Sequence, residues 1–275
     1  MLQGQFRAEL DAVESYLRSA LNPMPLAALE QFWESMFYSL LSEGKRFRPL
    51  LSLLTARALG KPQESVLPLA AAVELIHTYS LIHDDLPTLD NDDLRRGRPT
   101  NHKVYGEAMA LLAGDGLLTC AFSLLSQSFS PNAITAIHLL AEAAGPRGMV
   151  GGQVLDIQAQ NPSLEVLEEI HKRKTGALIR VSVEAAAVLC EATSEQQSAL
   201  SEYGAHLGLA FQLADDLQDY SPAKPEKVSF VNALGVEGTR ERLAKASDDA
   251  LESLFIFPDS ADPLRAMIGM NTRRA

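Results

Sequence analysis

The stretch "VELIHTYSLIHDDLPTLDNDDLRRGRP", residues 73–99, decides how this chain is read. Its opening, "VELIHTYSLIHDD", reads as an apolar helix. On that helix His77, Ser80 and Asp84 fall at i, i+3 and i+7, which is one face. Pro87 disfavours helical geometry at Leu86 and ends or bends the helix. A straight helix would carry Asp90 well away from Asp84's face, whereas a break near Pro87 could bring it back beside Asp84. His83 to Pro99 holds five aspartates and three arginines. Like charges so close repel, so their gathering asks for a counterion.

A second box of the same kind, "FQLADDLQD", runs from Phe211 to Asp219. Gln212, Asp215 and Asp219 lie at i, i+3 and i+7 on one helix face, with Asp216 flanking. Asp215 and Asp219 repel as an i, i+4 like-charge pair unless a cation sits between them. One Asp-Asp pair alone is ordinarily a solvated helix face. Two such boxes, each attached to an apolar helix, argue for a shared purpose. Hard oxygen ligands without Cys suit Mg2+ or Mn2+, which bind through a few carboxylates plus substrate phosphates.

Cations accompany the carboxylates. "GKRFRP", residues 44–49, places three in four positions; Arg95 and Arg96 follow the first box; Lys174 lies in "HKRKTGAL"; Lys227 follows the second box. Singly each reads as a surface residue. Together they suit phosphate, which Arg binds in bidentate fashion and Lys as a point charge. The set fits two phosphorylated substrates, one held through metal and the other directly by Lys and Arg. "GMVGGQVLDI", residues 148–157, puts Gln153 and Asp156 at i, i+3 beside glycines. Close helix packing explains the glycines as well as a Gln153 facing the same cavity does, and the sequence leaves both open.

The rest of the chain sets the frame. It has 275 residues, 47% hydrophobic and 21% charged, enough for a sizeable core. A net charge of −11 argues against a general nucleic-acid binder, without forbidding anionic substrates met by local cationic clusters. Cys120 and Cys190 sit in apolar helical runs and read as buried thiols. "MLQGQFRAEL" lacks a signal-peptide core, and no apolar run approaches the roughly 18 residues that span a bilayer, so a cytoplasmic protein is expected. Pro and Gly marks separate runs of helical length, and "SEQQ", Ser194–Gln197, reads as a capping box opening one of them. No strand-type alternation stands out. The expectation is one all-α domain, residues 1–275, with many helices.

Taken together, the motifs resemble those of the trans-prenyl diphosphate synthases, in the bacterial farnesyl/geranylgeranyl diphosphate synthase branch. "GKRFRP", "ELIHTYSLIHDDLPTLDNDDLRRGRPTNHKVYGE", "GGQVLDI", "KTGAL", "FQLADDLQD" and "DPLRA" carry the likeness over most of the chain. The resemblance implies a helical bundle around a deep central cavity (the isoprenoid synthase fold) in a homodimer. It implies head-to-tail condensation of isopentenyl diphosphate with an allylic diphosphate, dimethylallyl or geranyl, to give mainly farnesyl diphosphate. Asp84 and Asp90 would hold two Mg2+ with Asp85 in support; Asp215 would hold a third, with Asp216 and Asp219 supporting it through water. Arg95, Lys174 and Lys227 would contact the allylic diphosphate, and Lys45, Arg48, His77 and Arg96 isopentenyl diphosphate. Thr175 and Gln212 would stabilise the allylic cation, Gln153 would lie near the substrate, and Tyr79 and Ser80 would floor the chain pocket.

The chain departs from the family after Asp219, where "YSPAKPEKVSFVNALG" is short and the usual Gly-Lys loop is reduced to Lys224. The tail "MIGMNTRRA" is short as well, and any terminal basic contact falls to Arg273 or Arg274. Three rivals compete. A hydrolase using His77, His83 and Asp84 leaves the second box and "GKRFRP" unexplained. A terpene cyclase shares the first box, but its second site mixes Asn, Ser and Glu, unlike "DDLQD". A non-catalytic prenyl-synthase-like subunit would release no diphosphate.

Overall fold

Leu67–Asp84 is one continuous helix, and its residues 69–76 are all buried. An apolar run buried on every face must be wrapped by other helices. The structure is a computed structural model and describes residues 2–21, 26–160, 162–221 and 229–273. Its helices are α1 (Leu2–Gln5), α2 (Arg7–Ala20), α3 (Glu30–Leu40), α4 (Phe47–Ala58), α5 (Leu67–Asp84), α6 (Asn101–Tyr105) and α7 (Glu107–Leu125). They continue as α8 (Ala133–Ala144), α9 (Met149–Gln158), α10 (Leu164–His171), α11 (Ala177–Leu189), α12 (Ser194–Asp219), α13 (Phe230–Glu252) and α14 (Asp262–Thr272). The all-α expectation holds.

By contacts the chain divides into two compact units, one of Met1–Leu50 with Leu67–Phe129, the other of Leu51–Val66 with Ser130–Ala275. In the first, α7 packs along α5, with α2 and α3 also laid on α5. Close approach is bought by glycine. A Cβ on Gly114 would lie 2.0 Å from His83 Nε2, and one on Gly116 would lie 2.7 Å from the Phe32 ring. A polar clamp joins α3 to α6: the Ser35 hydroxyl donates to Asn101 Oδ1 at 2.8 Å, and Asn101 Nδ2 donates back to the Ser35 carbonyl at 2.8 Å.

In the second unit α11 packs between α8 and α12, and α12 against α13. Leu167, Ala210, Leu213, Ala214, Phe230, Leu243 and Ala246 form one buried cluster there. Tyr203, fully buried on α12, satisfies its hydroxyl on the Leu264 carbonyl at 2.9 Å.

Three local expectations are corrected. The capping box of α12 lies one residue earlier than "SEQQ": Thr193 Oγ1 accepts from Gln196 N at 3.2 Å and Gln196 Oε1 accepts from Thr193 N at 3.0 Å. Thr193, not Ser194, has the extended backbone an N-cap needs. A two-stranded hairpin also forms, Leu94–Arg95 (β1) against Arg98–Pro99 (β2). Its turn residues Arg96 and Gly97 both have positive φ, 53° and 75°, matching a two-residue type I′ turn that the "RRGR" stretch hides because Arg stands where Asn is usual. Finally, residues 63–84 and Glu107–Leu125 are helical runs long and apolar enough to cross a membrane by length and composition. The first is 67% buried inside the protein, which is how a core helix passes that test.

Candidate active site

In the first unit, α5 ends at Asp84 and the chain turns back on itself. Asp90 N donates to the Asp84 carbonyl at 2.9 Å and Asn91 N to the Leu86 carbonyl at 3.2 Å, with Asn91 at φ 54°. The break at Leu86–Pro87 therefore returns Asp90 to the end of the helix that carries Asp84. Asp84 is half-buried and Asp90 exposed.

The other charges of the opening stretch find partners. Asp85 is 3% exposed, and its Oδ1 accepts from Arg95 Nε at 2.7 Å and pairs with Arg95 Nη2 at 2.6 Å. Burial pushes the Asp85 carboxyl above its ordinary value, partly offset by Arg95. Asp92 lies 3.6 Å from Arg95, and Asp93 pairs with Lys103 at 2.7 Å. Arg98 stacks over the Tyr38 ring at 4.5 Å, and Tyr38 donates to the Pro99 carbonyl at 2.8 Å. The hairpin is thus pinned at both strands.

"GKRFRP" divides in the same way. Arg46 is 5% exposed, sits at φ 45°, and donates to Glu14 at 2.6 Å, to Glu74 at 2.7 Å and to the carbonyls of Leu40 and Ser42 at 2.8 and 3.0 Å. It is a buried structural fork. Gly44 clears the path of Arg96: a Cβ there would stand 2.7 Å from Arg96 Nη1, which donates to the Glu43 carbonyl at 2.6 Å. His77 feels this cluster. Its imidazole is held well below the usual value, first by loss of solvent and then by Arg48, Arg96, Arg95 and Arg46. A cavity of about 310 Å³ opens under the hairpin, between Thr78, Leu81, Ile82 and Asp85 of α5 and its end and Arg95 and Arg96 above.

Tyr79 is buried and meets the His83 ring edge-on at 5.7 Å; burial and then Asp84 push its hydroxyl up to about 12. His83 Nε2 donates to the Leu111 carbonyl at 2.9 Å. The Ser80 hydroxyl donates to the His77 carbonyl at 2.9 Å, so it is folded against its own helix.

In the second unit, α9 meets a π-helical turn, Lys172–Gly176. A Cβ on Gly152 would lie 2.2 Å from Lys174 N, so the glycines of "GGQVLDI" serve close packing. Gln153 Oε1 is buried without a partner among the described residues. Lys174 Nζ donates to Asp156 Oδ2 at 2.6 Å, a partnership the i, i+3 spacing of Gln153 and Asp156 did not disclose. His171 beside them is depressed to about 4 by burial and by Lys174, against the pull of Asp156.

A chain of hydrogen bonds runs from that turn into α12. Thr175 Oγ1 donates to Gln212 Oε1 at 3.1 Å, Gln212 Nε2 donates to Asp216 Oδ1 at 2.7 Å, and Phe230 N donates to Asp216 Oδ2 at 2.7 Å. Asp216 is 6% exposed; Asp215 is half-buried and Asp219 exposed. Lys224, Lys227 and Arg274 lie outside the described residues. Among the described residues no three His, Cys, Asp or Glu side chains form a ready-made metal cage. The donor set still fits Mg2+, which takes one or two carboxylates and fills its octahedron with water and phosphate oxygens.

The chain is similar to known proteins over most of its length. The polyprenyl synthetase family model matches residues 30–229. A farnesyl diphosphate synthase of Geobacillus stearothermophilus is 45% identical over 88% of this chain and 86% of its own. A chloroplastic geranylgeranyl pyrophosphate synthase of Catharanthus roseus is 42% identical over 85% of this chain and 71% of its own. Among solved structures, an FPP/GFPP synthase from Zymomonas mobilis superposes with a TM-score of 0.92 at 36% identity, covering 98% of both chains. A family model that matches residues 30–229 and relatives 42–45% identical along most of their length place this chain in the polyprenyl synthetase family.

Proposed function

We propose that the protein is an Mg2+-dependent farnesyl diphosphate synthase, condensing isopentenyl diphosphate head-to-tail with dimethylallyl and then geranyl diphosphate. The observation that carries the reading is the return of Asp90 to Asp84 by the 2.9 Å backbone bond, which sets two carboxylate residues side by side at a helix end. Asp84, Asp90 and Asp215 are the residues that would hold Mg2+, with Asp219 in support. Bound there, Mg2+ supplies Lewis-acid neutralisation of the leaving diphosphate.

The chain's own residues do the rest. Arg95, Lys174 and Lys227 grip the allylic diphosphate as its C–O bond breaks. Lys45, Arg48, His77 and Arg96 hold the second diphosphate in place for attack by its alkene. Thr175 donates its hydroxyl hydrogen bond to Gln212 Oε1 and keeps its proton, so its oxygen lone pairs are left to face the allylic cation. The released diphosphate takes the final proton, so no side-chain base is needed. The exposed apolar side chains Leu111 and Leu112 on α7, 47% and 53% exposed, support a homodimer.

Incubation of the protein with isopentenyl diphosphate, geranyl diphosphate and Mg2+ should release diphosphate and yield a C15 product by chain-length analysis. No product would overturn the enzyme reading, and a C20 product the chain-length reading alone. The buried Tyr79 ring is read as the pocket floor, so Tyr79→Ala should shift the product toward C20; an unchanged C15 product would count against that role.

His77 gives a further expectation. It is neutral in the free enzyme near pH 7, because desolvation and four guanidinium groups depress it. An arriving diphosphate offsets that positive field, though not the desolvation, and raises the imidazole pKa from its depressed value, so isopentenyl diphosphate binding takes up a proton and tightens as pH falls below neutrality toward the raised value. Calorimetry in buffers of different ionisation enthalpy should show the uptake, and His77→Gln should abolish it.

A further inference from the structure

Each aspartate pair looks symmetric in sequence and is not so in the structure. The second member, Asp85 or Asp216, is the buried one, and protein donors already occupy it. One oxygen of Asp85 carries two Arg95 nitrogens, and both oxygens of Asp216 are taken, by Gln212 Nε2 and Phe230 N. Asp85 also lines the cavity beneath the hairpin, whereas Asp84 does not. Asp215 and Asp216 are consecutive residues of α12 and point about 100° apart.

We propose that Asp85 and Asp216 are positioning residues: Asp85 aims Arg95, and Asp216 fixes the polarity of the Gln212–Thr175 hydrogen-bond chain. The inference rests on the prenyl-synthase reading and assigns to these two aspartates work other than holding metal. The chemistry for Asp216 is specific. An ionised carboxylate only accepts, so it compels Gln212 to present Nε2 to it and Oε1 to Thr175. Thr175 must then donate to Gln212, and its lone pairs point elsewhere, toward a developing cation. An asparagine at 216 could donate instead. Gln212 would then be free to turn over, and Thr175 would present a proton where lone pairs are needed. For Asp85, the charge-assisted pair holds the Arg95 fork in one rotamer, which matters because bidentate phosphate contacts demand a set geometry.

The test separates metal from position. Mn2+ binding to the full-length protein in the presence of inorganic diphosphate is followed by electron paramagnetic resonance, beside steady-state kinetics. Asp84→Asn and Asp215→Asn should weaken Mn2+ binding; Asp85→Asn and Asp216→Asn should leave it at the parent level. Asp85→Asn should raise KM for the allylic diphosphate roughly tenfold, the loss expected for a charge-assisted contact. Asp216→Asn should instead lower kcat with KM unchanged, because the cation exists only in the transition state. Gln212→Ala, which keeps the Asp216–Phe230 bond, should cost kcat as much as Asp216→Asn, and the double variant no more than either. Loss of Mn2+ from Asp85→Asn or Asp216→Asn, or losses that multiply in the double variant, would overturn the inference. Unchanged Mn2+ binding in Asp84→Asn and Asp215→Asn would overturn the metal reading instead, and with it the contrast on which the inference stands.

Discussion

Asp84→Ala is expected to lower turnover by at least about a hundredfold, and Asp215→Ala by as much, with the fold retained; removing one preorganised group that stabilises transition-state charge costs on that order. The reason is the charge the reaction develops. On the proposed reading, ionising the allylic C–O bond leaves a diphosphate whose new negative charge must be neutralised as the bond breaks, and Mg2+ held by these carboxylates would supply that neutralisation. Asp84 sits at the end of α5, half-buried, with Asp90 returned beside it. Alanine there removes one of the two carboxylates. Steady-state rates at saturating Mg2+, with circular dichroism to confirm folding, check this. Near-normal turnover in either variant would contradict the assignment of these aspartates.

Arg46→Ala is expected to destabilise the protein by about 3–5 kcal/mol, the cost of removing one partner of a buried ion pair. Arg46 and Glu74 are 5% and 3% exposed, and the guanidinium also satisfies the carbonyls of Leu40 and Ser42. Without it Glu74 is a buried carboxylate that has lost its guanidinium, and two carbonyls lose their donor. Arg46→Lys should recover only part of the loss, because an ammonium cannot fork to Glu14 and Glu74 in the fixed geometry of a guanidinium. Urea unfolding of Arg46→Ala, Glu74→Ala and the double variant measures the effect. The double variant should lose less than the two singles combined, since the uncompensated charge is then gone. A loss under 1 kcal/mol in Arg46→Ala would show that the pair is hydrated, not buried.

The division inside "GKRFRP" shows where sequence reading runs out. Three cations in four positions look alike by composition, and their roles come from where a single backbone torsion sends each side chain. Arg46, at φ 45°, turns inward to two glutamates distant in sequence. Nothing within the hexapeptide announces that Glu14 and Glu74 will be there. The glycine that precedes it, Gly44, is explained by Arg96, which lies 52 residues further along and passes where a Cβ would stand.

The sequence by itself determined the fold class and the family likeness, and it singled out the carboxylates of the two boxes as candidates. Each of these is a local matter: apolar period makes a helix, Pro87 breaks it, and the i, i+3, i+7 spacing of Gln212, Asp215 and Asp219 follows from the helical pitch. It also foresaw the break near Pro87 that brings Asp90 back to Asp84, because a proline's torsional limits are local too. Which partner each charge takes was decided only by the tertiary structure. Asp85 with Arg95, Lys174 with Asp156 and Asp216 with Gln212 and Phe230 are chosen by packing between elements. Burial at the second aspartate of each pair, and exposure at Asp90 and Asp219, turns residues identical in sequence into different chemical groups. The physical reason is that a carboxylate taken from water must be met by a donor, and the donors that meet it here come from other turns of the chain.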